Sequence, residues 1–81
     1  MLNVRPLDNN HTRYAVDDGE LAVQVYLEQS LNGTSKWWTT ETVPIDTSIY
    51  LYPPCRAHNT KEAALVSAGY DLGHHRASNQ Q

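Results

Sequence analysis

In ELAVQVYLEQ, Leu21, Val23, Val25 and Leu27 alternate with Glu20, Ala22, Gln24, Tyr26 and Glu28. Strict period two over that length predicts a strand with one buried face. RYAV precedes it from Arg13 and KWWTTETV follows it, and both also suit strands. Asp18-Gly19 and Asn32-Gly33 are dipeptides preferred in tight hairpins, because both central positions of a type I′ turn need positive φ. A three-stranded meander follows. Pro44 removes a backbone donor, so pairing should end or weaken there. The run Ser48 to Tyr52, SIYLY, is the expected fourth strand, an edge strand ended by Pro53-Pro54.

From Asn59 the period changes. Asn59 stands three residues before Glu62, the spacing of a capping box, and Lys61 to Leu72 then places Ala64, Leu65, Ala68 and Leu72 on one stripe. A helix is predicted there. Gly69 inside it costs about 1 kcal/mol relative to alanine, and the expected return is close contact with the sheet. Gly73 is the expected C-terminal cap. The fold class is therefore α+β: an antiparallel meander of three to four strands with one C-terminal α-helix packed on one face. Eighty-one residues make a single domain with one modest core, in which residues 1–11 and 76–81 are expected to be loosely ordered.

The adjacent Trp37 and Trp38 must point to opposite faces of a strand. With Asn32 and Gly33 as the two turn residues, Leu27 pairs with Trp38, Val25 with Thr40 and Glu28 with Trp37. Trp38 then joins the face covered by the helix, and Trp37 falls outside, diagonal to Tyr26, with Gln24, Thr39 and Glu41 around it. One helix covers only one side of a sheet, so an outer indole rimmed by polar residues has the composition of an interface anchor. Alternatively, Trp37 packs under the N-terminal segment, whose Leu2, Val4 and Leu7 also need cover. A register slip of one residue exchanges the two tryptophans and still leaves one outside.

Composition narrows the classes. Apolar residues form 40% of the chain and charged residues 19%, which argues against disorder and for a soluble globular domain. One cysteine, Cys55, permits no internal disulfide, which suits a reducing cytosol. The start MLNVRPLDNN lacks the apolar run of a secretion signal, and no stretch approaches the roughly twenty apolar residues of a membrane span. Net charge is −3, and the six cations are scattered, so direct nucleic-acid binding is not expected. Asp17, Asp18 and Glu20 form the one local acidic group.

Candidate chemistry is sparse. Cys55 and His58 have the spacing of half a metal site, but His11, His74 and His75 lie far off in sequence and no second Cys joins them, so no metal is expected. Cys55 with His58 as base lacks an identifiable orienting group or oxyanion site. The sequence has no G-x-G-x-x-G, P-loop, G-x-S-x-G or H-E-x-x-H motif. Neither catalysis nor a cofactor is expected. Tyr26, Trp37, Tyr50 and Tyr52 on one sheet face would suit unpaired bases, although the cations expected around such a platform are missing.

A β meander followed by a short helix opened by HNTKEAALVSAGY, in a very small acidic chain, resembles small phage-encoded accessory proteins, the anti-CRISPR inhibitors among them. The resemblance covers organisation from about Arg13 onward and carries over a class of role rather than any residue. It implies an inhibitor that sterically blocks a CRISPR effector complex of the bacterial host, as a monomer or homodimer. The expected partner-binding residues, read from the strand pattern, are Tyr26, Glu28, Trp37, Glu41, Asp17, Asp18 and Glu20. The alternatives are a nucleic-acid-binding or regulatory module using the aromatic face, and a homodimeric structural protein joined through edge strands.

Overall fold

The computed structural model describes residues 2–29, 31–45 and 53–79, with side chains to residue 75. Its elements are β1 (Asn3–Pro6), β2 (Arg13–Asp17), β3 (Leu21–Gln29), β4 (Ser35–Thr40), β5 (Val43–Pro44), β6 (Pro54–His58) and α1 (Lys61–Asn79). The sheet is antiparallel in the order β1-β2-β3-β4-β6, and β5 also pairs with β3. Helix α1 packs on one face, so the α+β architecture holds. The expected strand at residues 48–52 lies outside the described residues.

Alternation along β2 and β3 selects the core. Tyr14, Val16, Val23 and Val25 point to one face and are buried together with Ala64, Ala68 and Leu72 of α1. Leu21, Trp37 and Leu65 pack partly against that cluster. Alanines at 64 and 68 bring the helix backbone close to the sheet, and both are fully buried. Edge strand β1 is exposed throughout, and Pro6, which has no donor to offer a neighbour, sits at its end.

Both turns differ from the expected type I′ geometry. Asp18 N donates to Leu21 O, which makes Gly19 and Glu20 the central pair, and only Gly19 has positive φ, at 96°. Glycine at the first central position is the type II′ pattern. The second turn decides the fate of the tryptophans. Gln29 pairs with Ser35, so residues 30–34 form the connection, an odd count where Asn-Gly alone would be even. Asn32 Oδ1 accepts from Thr34 N at 3.2 Å and from Thr34 Oγ at 2.9 Å, and Gly33 takes φ 88°. Such an Asx turn competes with the two-residue hairpin. The register moves by one, giving Leu27 opposite Trp37 and Tyr26 opposite Trp38.

Two irregularities bend the β4 region. Thr39 pairs with Val25, whereas Val43 pairs with Ala22, so one extra residue lies between β4 and β5. Thr40 Oγ accepts from Gln24 N at 2.8 Å there, supplying a buried acceptor where the ladder is interrupted. On the other side β6 pairs Thr39 with Arg56 and Thr40 with Pro54, leaving Cys55 as the bulged residue. The stretch after Pro53 is thus a strand rather than a connector. Pro54 is tolerated because it sits at the start of an edge strand.

The helix differs at both ends from its expected bounds. Thr60 Oγ accepts from Ala63 N at 3.1 Å, and Asn59 Oδ1 instead accepts from Lys36 Nζ at 2.9 Å, so Thr60 is the N-cap. Gly73 does not terminate α1, which runs on to Asn79. Gly69 does meet a close neighbour, but it is Leu2 of the N-terminal segment: an added Cβ would lie 3.0 Å from Leu2 Cδ1. Arg56 of β6 pairs with Asp71 of α1, and this hydrogen bond holds the guanidinium pKa above its ordinary value.

Candidate docking surface

The face turned away from α1 carries the side chains that alternate with the core. Arg13 stands opposite Tyr26, Tyr26 opposite Trp38, and Trp38 opposite Ala57, forming one row across four strands. Glu28 stands opposite Lys36 in the next row toward the β3–β4 turn. Tyr26 and Trp38 are half-buried, whereas Glu28, Lys36 and Ala57 are exposed. Their opposition in register sets two half-buried aromatic side chains on neighbouring strands as a ridge. Tyr26 keeps its proton above the ordinary phenol value of 10.0, first because burial disfavours the phenolate and second because Glu28 is near, while Arg13 opposes the shift. At neutral pH the ridge therefore ends in a neutral hydroxyl, a donor as well as an acceptor.

The indole expected here was Trp37, and the structure corrects that assignment. Trp37 lies on the helix side, 6.3 Å ring to ring from Tyr14, which also holds Lys61 Nζ 5.3 Å above its ring. The odd count of residues in the β3–β4 connection is the cause. Trp38 is the outer indole, as a slip of one residue requires.

The outer face is also less bare than a one-helix architecture suggests. Ala15, Asp17, Ala22, Gln24 and Thr40 on that side are buried. Gln24 Oε1 is buried without a hydrogen-bond partner among the described residues. Among the described residues, the half of the face near the β3–β4 turn presents Tyr26, Glu28, Lys36 and Trp38, and the other end presents Arg5 of β1.

The expected acidic contributors are not gathered around the aromatic pair. The β2–β3 turn lies seven strand residues from Glu28, roughly 23 Å away. Asp17 is 3% exposed and works internally, accepting from Asn3 Nδ2 at 3.1 Å and Gly19 N at 3.0 Å, with Arg5 Nε at 3.7 Å. Asp18 Oδ1 accepts from Glu20 N and Leu21 N, shaping the turn. Glu20 is exposed at that turn, and Glu41 is exposed at the bulge after β4, where its amide donates to Pro53 O. Of the seven expected residues, Tyr26 and Glu28 share the ridge. Trp38, Arg13 and Lys36 are the members that sequence reasoning missed; counting five rather than two residues in the β3–β4 connection finds Trp38 and Lys36, and the β2–β3 register places Arg13.

A separate cleft brings Cys55, Asp71, His74 and His75 beside Thr40, Glu41 and Thr42. Among the described residues no three His, Cys, Asp or Glu side chains converge as a metal ion requires. No described helix is long and apolar enough to cross a membrane. No protein-family model matches the chain, and neither a curated protein nor a solved structure matches it.

Proposed function

We propose that this chain is a binding protein that acts by occupying a surface, with the Tyr26–Trp38 ridge as its anchor and Arg13, Glu28, Lys36 and Ala57 as its rim. The observation that carries the reading is the direct opposition of Tyr26 and Trp38 on the face away from the helix. Aromatic side chains dominate the energetics of protein interfaces, and a rim of both charge signs favours one orientation of a partner over others. The partner class follows from the resemblance to small phage inhibitors of the anti-CRISPR kind: a nucleic-acid-handling protein complex of a bacterial host, blocked sterically. A chain of net charge −3 suits competition with nucleic acid for a basic groove better than binding nucleic acid itself.

The test is retention and inhibition. The wild-type chain, immobilised, is challenged with a panel of purified CRISPR effector complexes and, separately, with bare oligonucleotides across a salt series. The expected result is retention of one effector with slowed target cleavage, and a loss of about tenfold or more in affinity on Trp38→Ala. Retention of no effector, with cleavage unimpeded throughout, overturns the inhibitor reading. Retention of oligonucleotide that falls steeply with salt replaces it with direct nucleic-acid binding.

A further inference from the structure

A cleft of about 580 Å³ opens where the β1–β2 connection meets β3, lined by Leu7, Asp8, Thr12, Arg13, Tyr26 and Leu27. Strand pairing sets three of these in one row. The Leu7 amide donates to Arg13 O at 2.8 Å, and Arg13 stands opposite Tyr26, so Leu7, Arg13 and Tyr26 lie side by side on the outer face. The connection is pinned at its other end as well, because the Leu27 amide donates to Thr12 O at 2.8 Å. Asp8 is fixed within it: Thr12 gives its carboxylate an amide hydrogen bond at 3.0 Å and a second one from the hydroxyl.

The cleft therefore holds one charge of each sign at set positions. Among the described residues the hydrogen bonds to Asp8 come from Thr12 and not from the Arg13 guanidinium, so the two charges are not joined as an ion pair. Leu7, 42% exposed, and the half-buried Tyr26 ring supply apolar wall beside them.

We infer that this cleft binds a free α-amino acid with an apolar side chain, its carboxylate on Arg13, its ammonium on Asp8 and its side chain against Leu7 and the Tyr26 ring. Charge balance selects the class. An anion gains from Arg13 and is repelled by Asp8, and a cation meets the reverse. An uncharged apolar ligand would take both groups out of water and replace none of their hydrogen bonds. A zwitterion meets both. The guanidinium fork matches a carboxylate, and the bonds from Thr12 leave lone pairs on both Asp8 oxygens for an ammonium. The volume falls in the range of roughly 300–1,000 Å³ usual for small-ligand sites, which combine apolar walls with a few placed polar groups. Arg13 and Tyr26 also belong to the proposed docking ridge, so an amino acid held here competes with a protein partner for them.

Amide chemical-shift titration of the whole chain with leucine, in the absence of any protein partner, tests the inference. Leucine at millimolar concentration should give saturable shifts at Leu7, Thr12, Arg13 and Tyr26. Leucinamide, which lacks the carboxylate, and N-acetyl-leucine, which lacks the ammonium, should each bind about tenfold or more weakly. Arg13→Gln should remove the saturable shifts and leave the circular dichroism spectrum unchanged. No saturation with leucine, equal affinity for either capped derivative, or saturation that survives Arg13→Gln overturns the inference. A peptide ending in leucine that binds as tightly as leucine itself overturns it in favour of a chain terminus. Because the titration uses no partner, its failure leaves the ridge reading standing, and failure of the ridge to retain a partner leaves the titration unaffected.

Discussion

Trp37 and Trp38 are chemically identical neighbours with different work, and their truncations should differ. Trp37 packs against Tyr14 and the core cluster, so Trp37→Ala is expected to cost about 2–4 kcal/mol of stability, toward the lower part of the range for buried aromatic truncation because the ring is only partly covered. Trp38→Ala should cost roughly 1–2 kcal/mol and act mainly on partner binding. Urea melts of both variants check this, and equal losses refute the face assignment. Gly73 is a second residue with a clear sign. It lies in the helix interior with nothing within 4 Å of an added Cβ, so Gly73→Ala should stabilise by about 0.5–1 kcal/mol. Gly69→Ala should gain less, since Leu2 must move aside. Asp8 supplies a pH signature. Hydrogen bonds from Thr12, the side-chain hydroxyl first, hold its carboxyl below the ordinary 3.8. A depressed folded-state pKa means the loop contact is fully present above 3.8 and is lost as pH falls through the lower folded-state value. The protection of the Thr12 amide, its exchange rate relative to the intrinsic rate at each pH, should fall across that acidic window and stay constant above it.

At the scale of elements, caps and connections do more than periodicity. The start of α1 rests on Thr60, so Thr60→Ala should cost about 1 kcal/mol, while Asn59→Ala should cost little beyond its exposed contact with Lys36. Thermal melts of the two variants distinguish the caps. The β3–β4 connection has a larger consequence for its size. Asn32 ties back to Thr34 and Gly33 takes positive φ, and that odd-numbered connection sends Trp37 rather than Trp38 to the helix. Period two along β3 made the core face legible in advance: Val23 and Val25 are fully buried, as alternation requires. The stripe Ala64, Leu65, Ala68 and Leu72 was legible for the same reason. The register of β4 was not, because Asn-Gly serves both even and odd connections and the Asn32–Thr34 contacts that accompany the odd one are not marked in the strand pattern.

Among the described residues the molecule is an antiparallel sheet with one helix on one face, and its two broad surfaces are chemically unlike. The helix side buries the core and leaves Val66 and Tyr70 exposed beside the Arg56–Asp71 pair. The other side is closed around Gln24 and Thr40 and opens into an aromatic ridge with mixed charges at the β3–β4 end. The two surfaces face away from each other. Their energetic independence is expected: substitutions at Tyr70 and Trp38 should be additive in melting experiments, because residues on opposite sides of a sheet share no partner.

The chain's own pattern determined the strands β2, β3 and β4, the helix face and the α+β class, because alternation of period two and the helical stripe are local properties that survive any tertiary arrangement. Tertiary structure alone decided the rest. Pairing of Val4 with Val16 made a strand of the N-terminal segment, and pairing of Thr39 with Arg56 made one of a stretch that begins with proline. Continuation of α1 past Gly73 also needed more than local preference, since an isolated glycine there favours a stop. Which indole faces outward is the decision that matters most for function. Two adjacent rings are equivalent in sequence, and only packing against Tyr14 and α1 distinguishes them.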